Sequence, residues 1–390
     1  MIVSECDKMN VVIAIDSFKG CLTSMQAGNA AAEGIKRVYP DADIAVRPLA
    51  DGGEGTVDAL VEGMGGEFHS VEVTDPCGKP VTAKYGIIGE SNTAVMEMSA
   101  AAGITLVPRD ELDPMKTTTY GVGEMIRDAA GHGCREFIVG IGGSATNDGG
   151  AGMLQALGFG LLNSRGEQIP RGAAGLAELV CITDDDVLPE LWHCSFKIAC
   201  DVANPLCGAN GCSAVFAPQK GAKPADIPVM DEWLAKFAKL TKLTPPAANP
   251  NHPGAGAAGG LGFAFLSYTD AELQSGVELI LHETRLEEYV RTADIVITGE
   301  GRLDAQTAMG KAPVGVAKLA KKYGKPVIAF AGSVTKDAAT LNECGIDAYF
   351  PILRTVCSLE EAMNTENAAE NLSGTAEQVF RGIRAAGSLS

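Results

Sequence analysis

The sequence predicts an α/β protein of two domains: a doubly wound parallel-sheet domain, discontinuous in the chain, interrupted by a second α/β domain with a mixed sheet. Apolar, β-branched runs alternate with segments of helical period near both ends of the chain, the pattern of parallel strands covered on both faces. The middle alternates apolar and polar residues around Asp-Pro and Lys-Pro turn signals, as half-exposed antiparallel strands do. At 390 residues the chain is also too long for one ordinary core. The boundaries read from these shifts give residues 1–75 and 280–390 to the doubly wound domain and 76–279 to the inserted one.

The elements follow in order. NVVIAIDSF at 10–18 is the first strand, SMQAGNAAAEGIKRVY at 24–39 a helix, DIAVRPLADGG at 43–53 a second strand with its loop, and GTVDALVEGMG at 55–65 a second helix. HSVEVTDPCGKPVTAKYGII and TAVMEMSA read as antiparallel strands opening the second domain. A helix near Tyr120–Ala130, the strand leading into FIVGIGGSATNDGG, a helix at 150–157 and the strand FKIACDV continue it. KLTPPAANPNHPGAGAAGG, 242–260, lacks periodicity and reads as a long loop and lid candidate. ADIVITGEG, the helix APVGVAKLAKKYG, PVIAFAGS and DAYFPI then restore the pattern of the opening residues.

Composition limits the function. Hydrophobic residues at 46% and charged residues at 21% describe a folded globular chain. A net charge of −18 without any basic block excludes nucleic acid as a general partner, while leaving room for a small anion held by local cations such as Lys19, Lys116, Lys220, Arg302 or Lys311. The uncharged run Gly149–Ser164 is too short and Gly-rich to span a membrane. Eleven cysteines without a paired framework suit a reducing compartment, and the acidic opening MIVSECDKMN matches neither a signal nor a transit peptide, so a cytoplasmic location is expected. The sequence leaves a homodimer open.

No GxxxxGK[ST] occurs, which removes a P-loop nucleotidase. Gly254, Gly256 and Gly259 spell GxGxxG, but Pro253 and Asn251 precede them where a dinucleotide site needs a strand. Ser144 follows a strand, yet a nucleophile elbow needs Gly where Thr146 stands. What the loop Gly142, Gly143, Ser144, Thr146, Asn147 offers is bare backbone, hydroxyls and a following helix start, which suit a phosphate; the bland alternative is a tight strand-to-helix turn.

Ligands of open α/β sheets bind beyond the carboxyl ends of the strands. Those ends carry Asp16, Ser17 and Lys19, then Asp51 and Glu54 in ADGGEG, then Glu300, Arg302, Asp304 and Thr307 in TGEGRLDAQT. Asp201 ends another strand. Carboxylates for a base or Mg²⁺, cations to neutralise a transferred group and unobstructed backbone donors are the components of phosphoryl transfer. Taken singly, each residue reads equally as a helix cap, a first-turn acid or a surface ion pair.

IAIDSFKGCLTS, PLADGGEGT, TTTYGVGEMI, GGSATNDGGAGML, DVANPLCGANG, FAPQKGA, GAGAAGGLGF and ITGEGRLDAQTAMGKAPVGVA, in this order, resemble the signature segments of the bacterial glycerate kinase family. The sequence departs from that pattern at Cys21 and Cys77 and in the extension MIVSECDK. The resemblance implies ATP-dependent phosphorylation of D-glycerate, usually to 2-phosphoglycerate, with Mg²⁺, and two α/β domains, one flavodoxin-like and one similar to a restriction endonuclease fold, with the site in the cleft between them. On this reading Lys19 or Arg302 holds the glycerate carboxylate with Ser17 assisting, and Asp16, Glu300 and Asp304 complete the substrate set. Asp51 or Asp201 serves as base or metal ligand, with Glu300 and Asp304 as further candidates and Lys19 beside them in the chemistry, and ATP lies on Gly142, Gly143, Ser144, Thr146 and Asn147 or along Lys311 at the opening of the last long helix. A nicotinamide-dependent sugar-acid oxidoreductase and a non-catalytic sugar-acid sensor are the competing classes.

Overall fold

A computed structural model describes residues 8–89, 92–241 and 249–387. Its strands, among the described residues, are β1 Asn10–Ile15, β2 Asp43–Val46, β3 Glu67–Thr74, β4 Pro80–Ile88, β5 Thr93–Glu97, β6 Glu136–Gly140, β7 Gly160–Leu162, β8 Cys181–Thr183, β9 Ser195–Ala199, β10 Asp270–Gln274, β11 Ile295–Leu303, β12 Val327–Val334 and β13 Ala348–Pro351. The chain divides into two compact units, one of Met1–Asp51, Asp58–Met64 and Val277–Ser390, the other of Gly52–Val57 and Gly65–Gly276.

The first unit is a parallel five-stranded sheet in the order β13-β12-β11-β1-β2. That is the flavodoxin-like order, in which the sheet winds outward in both directions from the boundary between β1 and its third strand, here β11. Successive side chains point to opposite faces, and both faces are apolar. Val12, Ala14, Val296 and Ala329 pack under the helices Leu286–Thr292 and Ala312–Lys322. Val11, Ile13, Ile15, Ile297 and Phe330 pack under the helices Ser24–Lys36 and Thr365–Gly387. The first of these helices begins where the sequence allows it to, because Thr23 forms a capping box with Gln26.

The second unit is a mixed six-stranded sheet, β10-β9-β6-β5-β4-β3, with β7 and β8 forming a separate antiparallel pair. β3, β4 and β5 pair antiparallel as expected, but β5 also pairs parallel with β6, so TAVMEMSA turns the sheet from one mode to the other. β6, β9 and β10 continue in parallel. Phe137, Phe159, Phe196, Phe237, Phe263 and Phe265 fill its core. In the 242–260 stretch, residues 242–248 lie outside the described residues, and Ala258, Gly259 and Gly260 have left-handed backbone, so regular helix within Ala257–Tyr268 runs only from Leu261 onward. No described helix is long and apolar enough to cross a membrane.

Candidate active site

A cavity of about 380 Å³ opens in the first unit and is lined by Asp16, Ser17, Lys19, Asp51, Glu300, Arg302, Asp304 and Lys311. It sits at the carboxyl ends of β1, β2 and β11, beside the β1–β11 boundary. Eight residues as far apart in the chain as 16 and 311 thus share one hollow.

Each is placed by local structure. Asp16 leaves β1 with its N–H donating to Gly299 O at 2.8 Å, so β11 fixes its backbone. The Ser17 N–H donates to Asp16 Oδ1 at 2.6 Å. Phe18 and Leu22 then exchange backbone bonds at 2.9 and 3.0 Å, a tight turn that leaves Lys19 exposed. Ser24, nearly fully buried, ties the β1 end to the segment after β2: its hydroxyl donates to Ile15 O at 2.6 Å and accepts from Leu49 N at 2.9 Å. One hydroxyl therefore sets the spacing of the loops that carry Asp16 and Asp51.

Glu300 and Arg302 are two residues apart on β11 and project from the same face. Glu300 Oε1 accepts from Thr307 Oγ1 at 2.5 Å. Asp304 is largely committed to structure: it caps the helix Ala305–Ala308, Oδ1 accepting from Gln306 N at 2.9 Å and Thr307 N at 3.3 Å, while Oδ2 lies 3.4 Å from Arg302 Nε. Its contribution to the cavity is to hold Arg302. Lys311 is the cap residue of Ala312–Lys322, not of the last long helix, and it lies with the substrate candidates.

The electrostatics single out Asp16. Burial, with the carboxylates of Asp51 and Glu300 adding to it, pushes the Asp16 carboxyl up to about 7, against the Ser17 N–H and Lys19, which favour its ionised form. Burial also raises Glu300, opposed by the Thr307 hydroxyl and Lys311. Asp16 was expected only as a substrate ligand; a proton affinity near neutrality equips it for proton transfer. The signal for that was its place at the end of a central strand.

The second unit holds Asp201 and the loop Gly142–Asn147. Asp201 is exposed, two residues past β9, and its Oδ1 accepts from Gly276 N at 3.0 Å. The loop differs from the expected cradle. Gly142 and Gly143 are exposed, but Ser144 is buried and Thr146 and Asn147 are fully buried and unable to meet a ligand in this conformation. The reason is Lys220, itself buried, whose Nζ donates to Ser144 Oγ and Thr146 O, both at 2.6 Å, and draws the loop inward. Burial holds the Lys220 ammonium down to about 8. Asp148 is equally internal, accepting from Thr119 N, Thr119 Oγ1, Gly150 N and Gly152 N.

The GxGxxG string has a packing explanation. Gly259, at φ +67°, brings its backbone against Thr146 and Asn147, where a Cβ would fall 2.1 Å from Thr146 O, and its carbonyl accepts from Gly149 N at 2.9 Å. Two glycine loops meet there backbone to backbone, without the preceding strand that a dinucleotide fold uses. Among the described residues, no three His, Cys, Asp or Glu side chains gather as a metal-holding group.

The model of the glycerate kinase family matches residues 11–384. The chain belongs to the glycerate kinase family. Family members similar to it include a glycerate kinase of Haemophilus influenzae, 46% identical over 96% of this chain and 98% of the relative. A glycerate 2-kinase of Escherichia coli K12 is 44% identical over 94% of this chain and 98% of its own. A crystal structure assigned to glycerate kinase 2 of Salmonella typhimurium LT2 superposes with a TM-score of 0.90 at 45% identity, covering 98% of this chain and 100% of the other. The family resemblance read from the eight segments is thereby borne out, and membership of a kinase family implies ATP as phosphoryl donor.

Proposed function

We propose that the chain phosphorylates D-glycerate from ATP, giving 2-phosphoglycerate, in the cavity of its first unit. One observation carries the reading: a single hollow gathers four carboxylates, Asp16, Asp51, Glu300 and the cap residue Asp304, and three cations, Lys19, Arg302 and Lys311. A nucleophile to be deprotonated and a polyanion to be neutralised need that mixture.

In this reading Arg302, oriented by Asp304, pairs with the glycerate carboxylate, assisted by Ser17. Asp16 takes the proton of the attacking hydroxyl; it replaces Asp51 and Asp201 as base, because its burial beside two other carboxylates sets its proton affinity near working pH. Lys19 and Lys311 neutralise the charge of the transferred phosphoryl group. Asp51 and Asp201 each offer the hard oxygen donors that Mg²⁺ takes, and this ion uses one or two carboxylates with phosphate oxygens and water, so no cluster of three acids is required. Bound to one of them, Mg²⁺ would supply further neutralisation of phosphate charge. The described cysteines are free thiols, which supports a cytoplasmic setting.

The test is ³¹P NMR of a reaction with D-glycerate, ATP and Mg²⁺. The expected outcome is a 2-phosphoglycerate resonance growing as ATP declines; 3-phosphoglycerate alone would overturn the regiochemistry, and the absence of either product would overturn the reading.

A further inference from the structure

The cavity has a second half that a three-carbon hydroxy acid does not explain. Besides the charged groups its lining includes Phe18, Ile352, Leu353, Leu359 and Met363. Three of these, Leu353, Leu359 and Met363, are exposed, Leu359 at 79%, and Val356 beside them is wholly so. Single exposed apolar residues are ordinary, but four large ones within eleven residues, three of them lining one cavity, mark a contact surface.

This wall is built and held. Ser358 and Glu361 close a capping box around Leu359–Met363, with Ser358 N donating to Glu361 Oε2 at 2.8 Å and Glu361 N to Ser358 Oγ at 3.2 Å. Thr365 Oγ1 donates to Cys21 O at 3.0 Å, which fastens the segment to the turn bearing Lys19.

We propose that this wall, formed by Leu353, Leu359 and Met363 over Phe18 and Ile352, is the subsite for the purine ring of the phosphoryl donor. The inference rests on the kinase reading above. Of the participants in that reaction, glycerate carries oxygen on every carbon and gains nothing from an apolar wall. The nucleotide alone joins a flat, largely apolar ring to a polyanion, and the cavity lining joins apolar side chains to Lys19, Arg302 and Lys311. A volume of about 380 Å³ falls in the range of about 300–1,000 Å³ typical of sites for ligands of nucleotide size.

The test is the pair Leu359→Asp and Leu353→Ser, both at exposed positions; Asp at the first residue of a helix also suits its dipole, so folding is retained. Calorimetric titration with ADP should show affinity lowered about tenfold or more in each variant, while tripolyphosphate, which lacks the ring, binds as to the unaltered protein. KM for ATP should rise in parallel, and KM for D-glycerate should stay constant. Unchanged ADP affinity in both variants overturns the subsite, as does a loss shared equally by tripolyphosphate, which would report charge alone. A rise confined to KM for D-glycerate would assign the wall to the acid instead. Ring-dependent ADP binding by a protein that makes no phosphoglycerate would leave the subsite standing and defeat the kinase reading separately.

Discussion

Replacing Asp16 by Asn should remove activity and add stability at the same time. The carboxyl is 6% exposed and is raised from 3.8 to about 7, chiefly by burial. A carboxyl raised in the folded state stabilises the fold while protonated, below 3.8, and that contribution is lost progressively as pH climbs through about 7. The displacement corresponds to about 4 kcal/mol held as unfavourable charge burial above neutrality. Asn carries the same shape without the charge, so Asp16→Asn should gain stability of that order at pH 8 and almost none at pH 4. The loss of the proton acceptor should lower kcat by about 10²- to 10⁴-fold. Urea unfolding of both proteins at pH 4 and pH 8, in EDTA so that no divalent ion touches Asp51, reads the first effect; steady-state kinetics with D-glycerate and ATP reads the second. Full kcat in the variant would refute the base assignment, and an equal stability difference at the two pH values would refute the charge burial behind it.

Four further outcomes are expected. Arg302→Ala should raise KM for D-glycerate about tenfold or more through loss of a charge-assisted bond, with an initial-rate series at fixed ATP as the check. Ser24→Ala leaves Leu49 N and Ile15 O without their shared partner and should cost about 1–3 kcal/mol in urea unfolding, with a fall in kcat as the Asp16 and Asp51 loops separate. Lys220 is lowered from 10.5 to about 8, so the unfolded chain holds more protons between these values and folding gains stability as pH rises through them. Lys220→Met should abolish that gain, visible as a difference between the two unfolding midpoints that changes from pH 7 to pH 10. Gly143→Val, at a backbone φ of +73°, should strain the exposed end of its loop and raise KM for ATP if phosphate rests there; an unaltered KM would dismiss the loop as a phosphate contact.

Much of the first unit was legible because its chemistry is tied to strand ends. Apolar runs identified β1 and β11, and Asp16, Glu300 and Arg302 follow or end them, so the rule for open parallel sheets named them without coordinates. The second unit was less legible where distant residues intervene. Nothing near Thr146 and Asn147 announces that Lys220, over seventy residues later, draws them inside. β10 is half-exposed DAELQ, whose polar edge-strand composition reads as loop. The apolar wall escaped notice because Leu353, Leu359 and Met363 stand among Arg, Thr, Ser and Glu with no period to join them. Asp304, read as a ligand, is a cap: the same Asp-x-x-Thr spacing serves either purpose, and only its bonds to Gln306 and Thr307 decide between them.

The pairing of β1 with β11 carries a consequence for biosynthesis. Asn10 and Asp294 bond to each other across 284 positions, so β1 emerges from the ribosome long before β11, one of its two neighbours, exists. At about 5–20 residues per second, that interval is roughly 15–60 seconds. During it the second unit, nearly continuous in the chain, can complete its own sheet, while β1, with β2 on one side, leaves its other edge open. An open strand edge is a template for pairing with another chain, so slowing translation should make early aggregation worse rather than better.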